Sequence, residues 1–321
     1  MSTKKKSRIH IDGDKLVLIA AIIVVFALFT CLNKNFLSVT NMINILIAAS
    51  LVGMVAVGHT YLIIAGQNDL SPGSLAAFSG VVAALLVSKG MPFAAAVIVT
   101  IVCGAAVGFF NAFMVNKIHL EAFIATLVTQ SIIRGFAYII CGGKPVSISN
   151  KTFLLLGKAR ILNIPVSVWI MIICIVVFGI ILAKTKFGRS VYAIGGSMDA
   201  ARLAGLNPKK IITTCYVMMG ILCSIGGICY CLNTMSGNVQ QALGLEMDAI
   251  ASSVIGGTLL TGGVGNVIGS FFGVLINGTI STLVKTNGKL LSSWSNIAVA
   301  ALLCFFIVLQ SIFAKIKEKS K

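Results

Sequence analysis

The sequence predicts an all-α polytopic membrane protein with about ten transmembrane helices and a weak internal repeat. Of its 321 residues, 58% are hydrophobic and only 10% are charged, against roughly 25% charged in an ordinary soluble domain. Mean hydropathy is +1.02. Several apolar runs approach the ~20 residues that a helix needs to cross a bilayer. Such runs are too long and too apolar for barrel strands, so helices are the remaining way to satisfy the backbone in lipid.

In chain order, a basic arm at 1–15 precedes an apolar run at 16–32. No small-x-small cleavage site follows that run, which makes it an uncleaved first span rather than a signal peptide. Further spans are expected at 42–65, 71–88, 92–116, 121–141 and 166–183. After a polar stretch at 184–210 come 211–232, 249–265, 266–284 and 294–313, then a basic tail at 314–321. Residues 16–313 thus read as one transmembrane domain carrying a loop at 184–210.

Six spans before that loop and four after it place the N-terminus, the loop and the C-terminus on one side. That side would hold sixteen Lys and Arg residues, and the other side eight. Positive charge follows the cytoplasmic face, so the termini and the loop are expected there. The formal charge of +17 therefore reads as topological and not as a nucleic-acid surface.

The polar loop has its own punctuation. Gly195 and Gly196 would break the chain, Ser197 would cap a short helix, and Asp199 would sit in its first turn, where the dipole favours an anion. Ala200, Ala201, Leu203 and Ala204 form the body, with Arg202 towards its end. Gly205 suits a left-handed stop, and Pro208 would forbid resumption. A helix of about two turns does not stand alone in water. It either presses into another protein's groove or is a kink in a solvated loop.

Acids are scarce, and Asp69, Glu121, Glu246 and Asp248 all fall at span ends or breaks, while Arg134 lies inside a span. Ionisable groups at membrane depth are costly and usually face a partner or a cavity. Gln67, Asn68 and Asp69 lie in a polar break between two apolar runs, and irregular backbone there must be buried or line a cavity. Either these residues cap helices, as Asp69 and Asp248 are placed to do, or they shape a solute pathway. The repeat is suggested by Asp69 and Asp248, each opening a span. Each is followed by a helix with glycines four apart, Gly104 and Gly108 in one, Gly269 and Gly273 in the other. That spacing also serves helix packing alone.

Nine cysteines form no CxxC pair and three scattered histidines show no ligand spacing, so neither a metal site nor a cofactor is expected. No Gly-x-x-x-x-Gly-Lys-Ser/Thr occurs, and no catalytic triad or Cys–His pair is present, which leaves no catalytic residue to name. Any energy for uphill transport would come from another chain.

Four motifs in order resemble the permease subunits of bacterial sugar ABC importers of the ribose, galactose and galactofuranose type. They are Asp69-Leu70-Ser71-x-Gly73-Ser74, then Phe123-Ile124-Ala125-Thr126-Leu127 with Arg134-Gly135. The third is the loop from Phe187 through Gly195-Gly196 to Ala200-Ala201-Arg202-Leu203-Ala204-Gly205. The fourth runs from Asp248 to Thr258 and on to Gly262-Gly263-x-Gly265. The late region looks closest to galactofuranose permeases. The family usually has Gly-Gly-Ile where this chain has Gly66-Gln67-Asn68, often proline at Glu121, and methionine at His59.

The resemblance implies a plasma (inner) membrane subunit that passes a monosaccharide across the lipid bilayer. Its partners would be ABC ATPase subunits, a second permease subunit (the same or a related chain) and an extracytoplasmic sugar-binding protein. The coupling residues would be Ser197, Asp199, Ala200, Ala201, Arg202, Leu203, Ala204 and Gly205. Gln67, Asn68, Asp69, Arg134 and Asp248 would lie along the sugar pathway. A secondary transporter or facilitator for a small polar solute shares the composition, whereas a membrane scaffold or assembly subunit would need no polar groups at the span breaks.

Overall fold

The computed structural model describes residues 37–286 and isolated helical positions between 294 and 308. The basic arm 1–15, the span expected at 16–32 and the tail 314–321 lie outside the described residues, as does most of the span at 294–313. Helices dominate: α1 (Val39–Ile64), α2 (Pro72–Ser88), α3 (Phe93–Asn116), α4 (Ala122–Cys141), α5 (Lys151–Lys158), α6 (Val166–Lys184), α7 (Lys186–Gly196), α8 (Met198–Leu203), α9 (Pro208–Thr234), α10 (Leu245–Ile255) and α11 (Val267–Thr286). Among them α1, α3, α4, α6 and α9 are long and apolar enough to cross a membrane.

Two small antiparallel pairs complete the fold. Strand β1 (Val146–Ser147) pairs with β4 (Ser236–Gly237), and β2 (Arg160–Ile161) pairs with β3 (Ile164–Pro165). Neither was legible in the hydropathy pattern, since two-residue strands carry no period to read.

The core lies between α1, α9 and their neighbours. Tyr61, Met54 and Leu62 of α1 and Tyr216, Met219 and Leu222 of α9 are fully buried. The outer faces of α3 and α6 are apolar but exposed, with Phe109, Phe110 and Phe113 on one and Ile173, Val176 and Ile180 on the other. This is what a lipid-facing surface requires, because lipid tails solvate such side chains as well as protein does.

The paired glycines are contact stripes. A methyl group on Gly104 or Gly108 would run into the Gly220 or Tyr216 carbonyl of α9, and one on Gly269 or Gly273 would meet the Gly256 or Ser252 carbonyl of α10. Close backbone approach explains both pairs, in keeping with small residues as the packing device of membrane helices.

One expected span is overturned. Instead of a helix over 249–265, α10 has 11 residues, about 16 Å of rise, or half of a bilayer core. Irregular chain flanks it on both sides, because Gly244 ends one segment and Gly256, Gly257, Gly262 and Gly263 interrupt the other. All of these except Gly256 have positive φ. Asp248 is consequently not an N-cap, since Gly244 takes that position and Asp248 lies within the first turn beside Glu246.

Candidate functional site: the broken helix and the short helix of the polar loop

The break after α1 is built backbone first. A helix leaves its last four carbonyls without intrahelical donors, and here each receives one. Ala65 N–H donates to Tyr61 O, Gln67 N–H to Leu62 O at 2.8 Å, Gly66 N–H to Ile63 O at 2.9 Å, and Gly263 N–H to Ile64 O at 2.9 Å. The two middle bonds, with Gly66 at φ +72°, are the left-handed helix stop that glycine permits. Beyond it Gln67 is half-buried, Asn68 exposed and Asp69 buried.

Asp69 is not the N-cap of α2, a position that Ser71 takes; it folds the turn that precedes the helix. Its Oδ1 accepts from Ser71 N–H at 2.8 Å and from Ser71 Oγ at 2.7 Å. Ser71 Oγ also accepts from Asn111 Nδ2 of α3 at 3.0 Å. Leu70 N–H donates to Thr126 Oγ1 of α4 at 3.0 Å, and Tyr216 of α9 donates its hydroxyl to the Asn68 carbonyl at 3.1 Å. Three helices thus satisfy the polar groups of an interrupted segment at membrane depth, the condition under which such a segment is tolerated.

A second polar cluster holds the irregular segment before α10. Arg134, half-buried on α4, donates from Nε to Ser74 Oγ at 3.0 Å and from a terminal nitrogen to the Val239 carbonyl at 2.6 Å. Gln130, one turn earlier, donates to Glu246 Oε1 at 3.2 Å. Among the described residues the other carboxylate oxygen of buried Glu246 finds no hydrogen-bond partner, and it faces Gly73 in the first turn of α2, where the helix dipole favours an anion. Asp248 is half-buried, and its carbonyl accepts from Asn277 Nδ2 of α11 at 3.2 Å.

In the polar loop, Ser197 caps α8, its Oγ accepting from Ala200 N–H at 3.2 Å, with Asp199 in the first turn. Gly205 stops it at φ +82°, and Leu206 N–H closes onto the Ala201 carbonyl at 3.1 Å. Three details differ from expectation. Gly195 and Gly196 are helical, ending α7, and the break falls at Ser197. Pro208 opens α9 at its first turn rather than merely barring a helix, a position where its missing N–H costs nothing. Ala201 is buried against its own chain at 4% exposure, whereas Leu203 is 90% exposed and Ala200, Arg202 and Ala204 face outward.

Sequence comparison identifies the family to which these parts belong. The family described as "Branched-chain amino acid transport system / permease component" matches residues 41–309. The chain belongs to that permease family. It is 36% identical over 291 residues to the inner membrane ABC transporter permease protein YjfF of Escherichia coli, covering 87% of each chain. It is 34% identical over 302 residues to the ribose import permease protein RbsC of Haemophilus influenzae, covering 93% of each. The L-arabinose transport system permease protein AraH of Escherichia coli is 34% identical over 314 residues, 98% of this chain and 93% of the relative. No solved structure matches the chain. The narrower galactofuranose likeness gains no specific support from these relatives.

In this permease the two sites meet at one junction. Gly195 of α7 lies so close to the Ile64 carbonyl that a Cβ would overlap it, and the same substituent would strike Gly263 N. Tyr192 of α7 donates its hydroxyl to the Gly265 carbonyl at 2.7 Å. The helix that leads into α8 is therefore wedged against the end of α1, three residues before the Gln67–Asp69 break begins. Sequence reasoning missed this junction, and it missed Gln130 and Glu246 as partners in the Arg134 cluster. The spacing of Gln130 and Arg134, four apart in an otherwise apolar helix, was the available sign of an inward polar face.

Proposed function

We propose that this permease is the membrane-spanning subunit of an ATP-driven importer for a monosaccharide. The observation that carries the reading is the junction of Ile64, Gly195 and Gly263, which links an exposed short helix to a polar break in the membrane. The names of its relatives, given for ribose and L-arabinose transport, favour a sugar over the amino acids in the family description. The chain has no ATPase site of its own, and two copies, or this chain with a related one, form the pore.

The whole of 16–313 acts as one permease domain of ten spans with two related halves, its termini and the 184–210 loop in the cytoplasm. A separate ATPase grips α8, chiefly through Leu203, Met198, Ala200 and Ala204, beside a shallow cleft lined by Lys186, Arg189 and Leu206. Closure of the ATPase pair moves α7, and the wedge at Gly195 passes that motion to the break, shifting the pore between outward- and inward-open states. Gln67 and Asn68 offer amide groups to sugar hydroxyls, Asp69 fixes their turn, and Arg134 and Asp248 hold the opposing segments in register.

The test is reconstitution in vesicles with the ATPase and a sugar-binding subunit. ATP-dependent uptake of a pentose or hexose, insensitive to an ionophore, is the expected result, with no ATP hydrolysis by the permease alone. Uptake driven by an ion gradient without ATP would establish a secondary transporter, and accumulation of leucine instead of sugars would reassign the solute.

A further inference from the structure

Among the buried side-chain atoms of the described residues that lack a hydrogen-bond partner, one belongs to an acid: Oε2 of Glu246. The residue is only 8% exposed. Withdrawing a carboxylate oxygen from water without giving it a donor is expensive, and native proteins rarely tolerate it without a use.

The position of that oxygen is specific. Glu246 lies in the first turn of α10, and Oε2 points at the first turn of α2, where a Cβ on Gly73 would overlap both it and the Ala242 carbonyl. The positive ends of two helices, 17 and 11 residues long, therefore meet at one carboxylate. In transporters, interrupted membrane helices commonly aim such ends at the solute. From α4, Gln130 holds the other oxygen at 3.2 Å, while Arg134 directs its nitrogens to Ser74, Val239 and Gln241 oxygens.

These charges select a class of ligand. Arg134 and two helix N-termini disfavour a metal cation, and the buried acids Asp69 and Glu246 disfavour an anion. An ionised Glu246 can only accept, so its missing partner is a neutral donor. A polyhydroxylated solute offers several O–H groups in a row. The neighbouring wall is also strained: Ala242 holds φ +59°, a left-handed conformation that alanine adopts at a cost. Its segment, 238–244, has no helix of its own.

We propose that Glu246 is a solute-binding residue whose Oε2 accepts a hydrogen bond from one hydroxyl of the transported sugar, where the N-termini of α2 and α10 meet. The inference rests on the importer reading and deepens it, adding a charged acceptor to the amides of Gln67 and Asn68. Gln130 keeps the carboxylate aimed, and the 238–244 segment yields to admit the sugar.

The experiment uses the complete transporter, reconstituted in vesicles with its ATPase and its sugar-binding subunit. The probes are whichever of D-ribose, L-arabinose and D-galactose is taken up best, and the monodeoxy analogues of that sugar. A site that pairs with a hydroxyl rejects the analogue lacking it. In the wild type one analogue should be rejected most strongly. In Glu246→Gln the preference for the parent sugar over that analogue, as a ratio of kcat/KM for uptake, should fall about tenfold or more. Preferences at the other hydroxyls, ATPase co-purification and thermal unfolding should stay at wild-type values. Glu246→Asp, which keeps the charge but draws it back by one methylene, should act in the same direction.

Unchanged preferences in both variants overturn the inference while leaving the importer intact, and make the partner of Oε2 a buried water. Loss of uptake of every sugar in both variants also overturns it, because one hydroxyl contact grades selectivity and does not abolish all transport alike. Wild-type uptake that requires sodium, with the requirement lost in Glu246→Gln, overturns it in favour of a cation site. A wild-type assembly that takes up no sugar with ATP sinks the importer reading itself, and this inference with it.

Discussion

Gly263 donates its backbone amide to the Ile64 carbonyl at 2.9 Å, closing the last open acceptor of α1 with a group from 199 positions further along the chain. Gly195 packs against the same carbonyl. Three distant segments therefore share one backbone oxygen, and a side chain at Gly195 has nowhere to go. Motion of α7 towards α1 would press directly on that carbonyl.

The first prediction follows from that crowding. Gly195→Val should destabilise the fold by roughly 1–3 kcal/mol, the usual cost of overpacking, and should reduce uptake more than it reduces ATPase binding. Thermal unfolding of the purified chain and uptake in vesicles are the measurements. A variant that keeps both at wild-type values would show that the junction is looser than the geometry requires.

Arg134 is predicted to position the segment before α10. Replacing it by alanine leaves the buried Val239 carbonyl without its charged donor, a loss of about 1–3 kcal/mol for an unsatisfied buried group. Amide exchange across 235–244 should accelerate, and Arg134→Lys, which keeps a cation but not the forked geometry, should fall in between. Exchange that stays at the wild-type rate in Arg134→Ala would mean that the β1–β4 pairing holds the segment alone.

In α8, burial separates two kinds of substitution. Ala201→Trp should lower the thermal stability of the permease itself, since Ala201 is packed inside its own chain. Leu203→Asp and Ala200→Trp should leave stability within about 0.5 kcal/mol yet weaken co-purification of the ATPase. Arg202→Ala, at an exposed charge, should matter by no more than about 0–1 kcal/mol. Normal ATPase capture and uptake by both outward variants would remove α8 from the coupling role.

Asn68 and Tyr216 give the break a test that separates contact from support. The Asn68 side chain is exposed, while its carbonyl takes the Tyr216 hydroxyl. Asn68→Ala should change selectivity across pentoses and hexoses with little change in stability, because a site that pairs with hydroxyls discriminates when a partner is lost. Tyr216→Phe should cost about 1 kcal/mol of stability and leave selectivity unchanged. The reverse pattern would make the break purely structural.

Much of the helical framework could be read from the chain. Apolar length located α1, α2, α3, α4, α6, α9 and α11 within a few residues, because a membrane helix needs a long uninterrupted run and little else does. Local chemistry was equally legible where one or two residues decide it. Ser197 caps α8 with its hydroxyl and Gly205 stops it with a positive φ, whereas the N-cap of α2 is Ser71 and not Asp69. The glycines at 104, 108, 269 and 273 announced close packing but not the identity of the partner helix.

Tertiary structure decided the rest, because it turns on which distant groups satisfy one another. Composition made 249–265 look like a span. In the fold the chain there is a half-length helix between irregular segments, held by hydrogen bonds that Arg134 donates to the Val239 carbonyl and Gly263 to the Ile64 carbonyl. Which face of α8 turns outward depended on how α7 and α9 seat it, so Ala201 went inward although Ala200 and Ala204 are equally small. The meeting of Ile64, Gly195 and Gly263 was invisible beforehand. A backbone carbonyl carries no side-chain signature, and its donor can come from any residue that the fold brings within 3 Å.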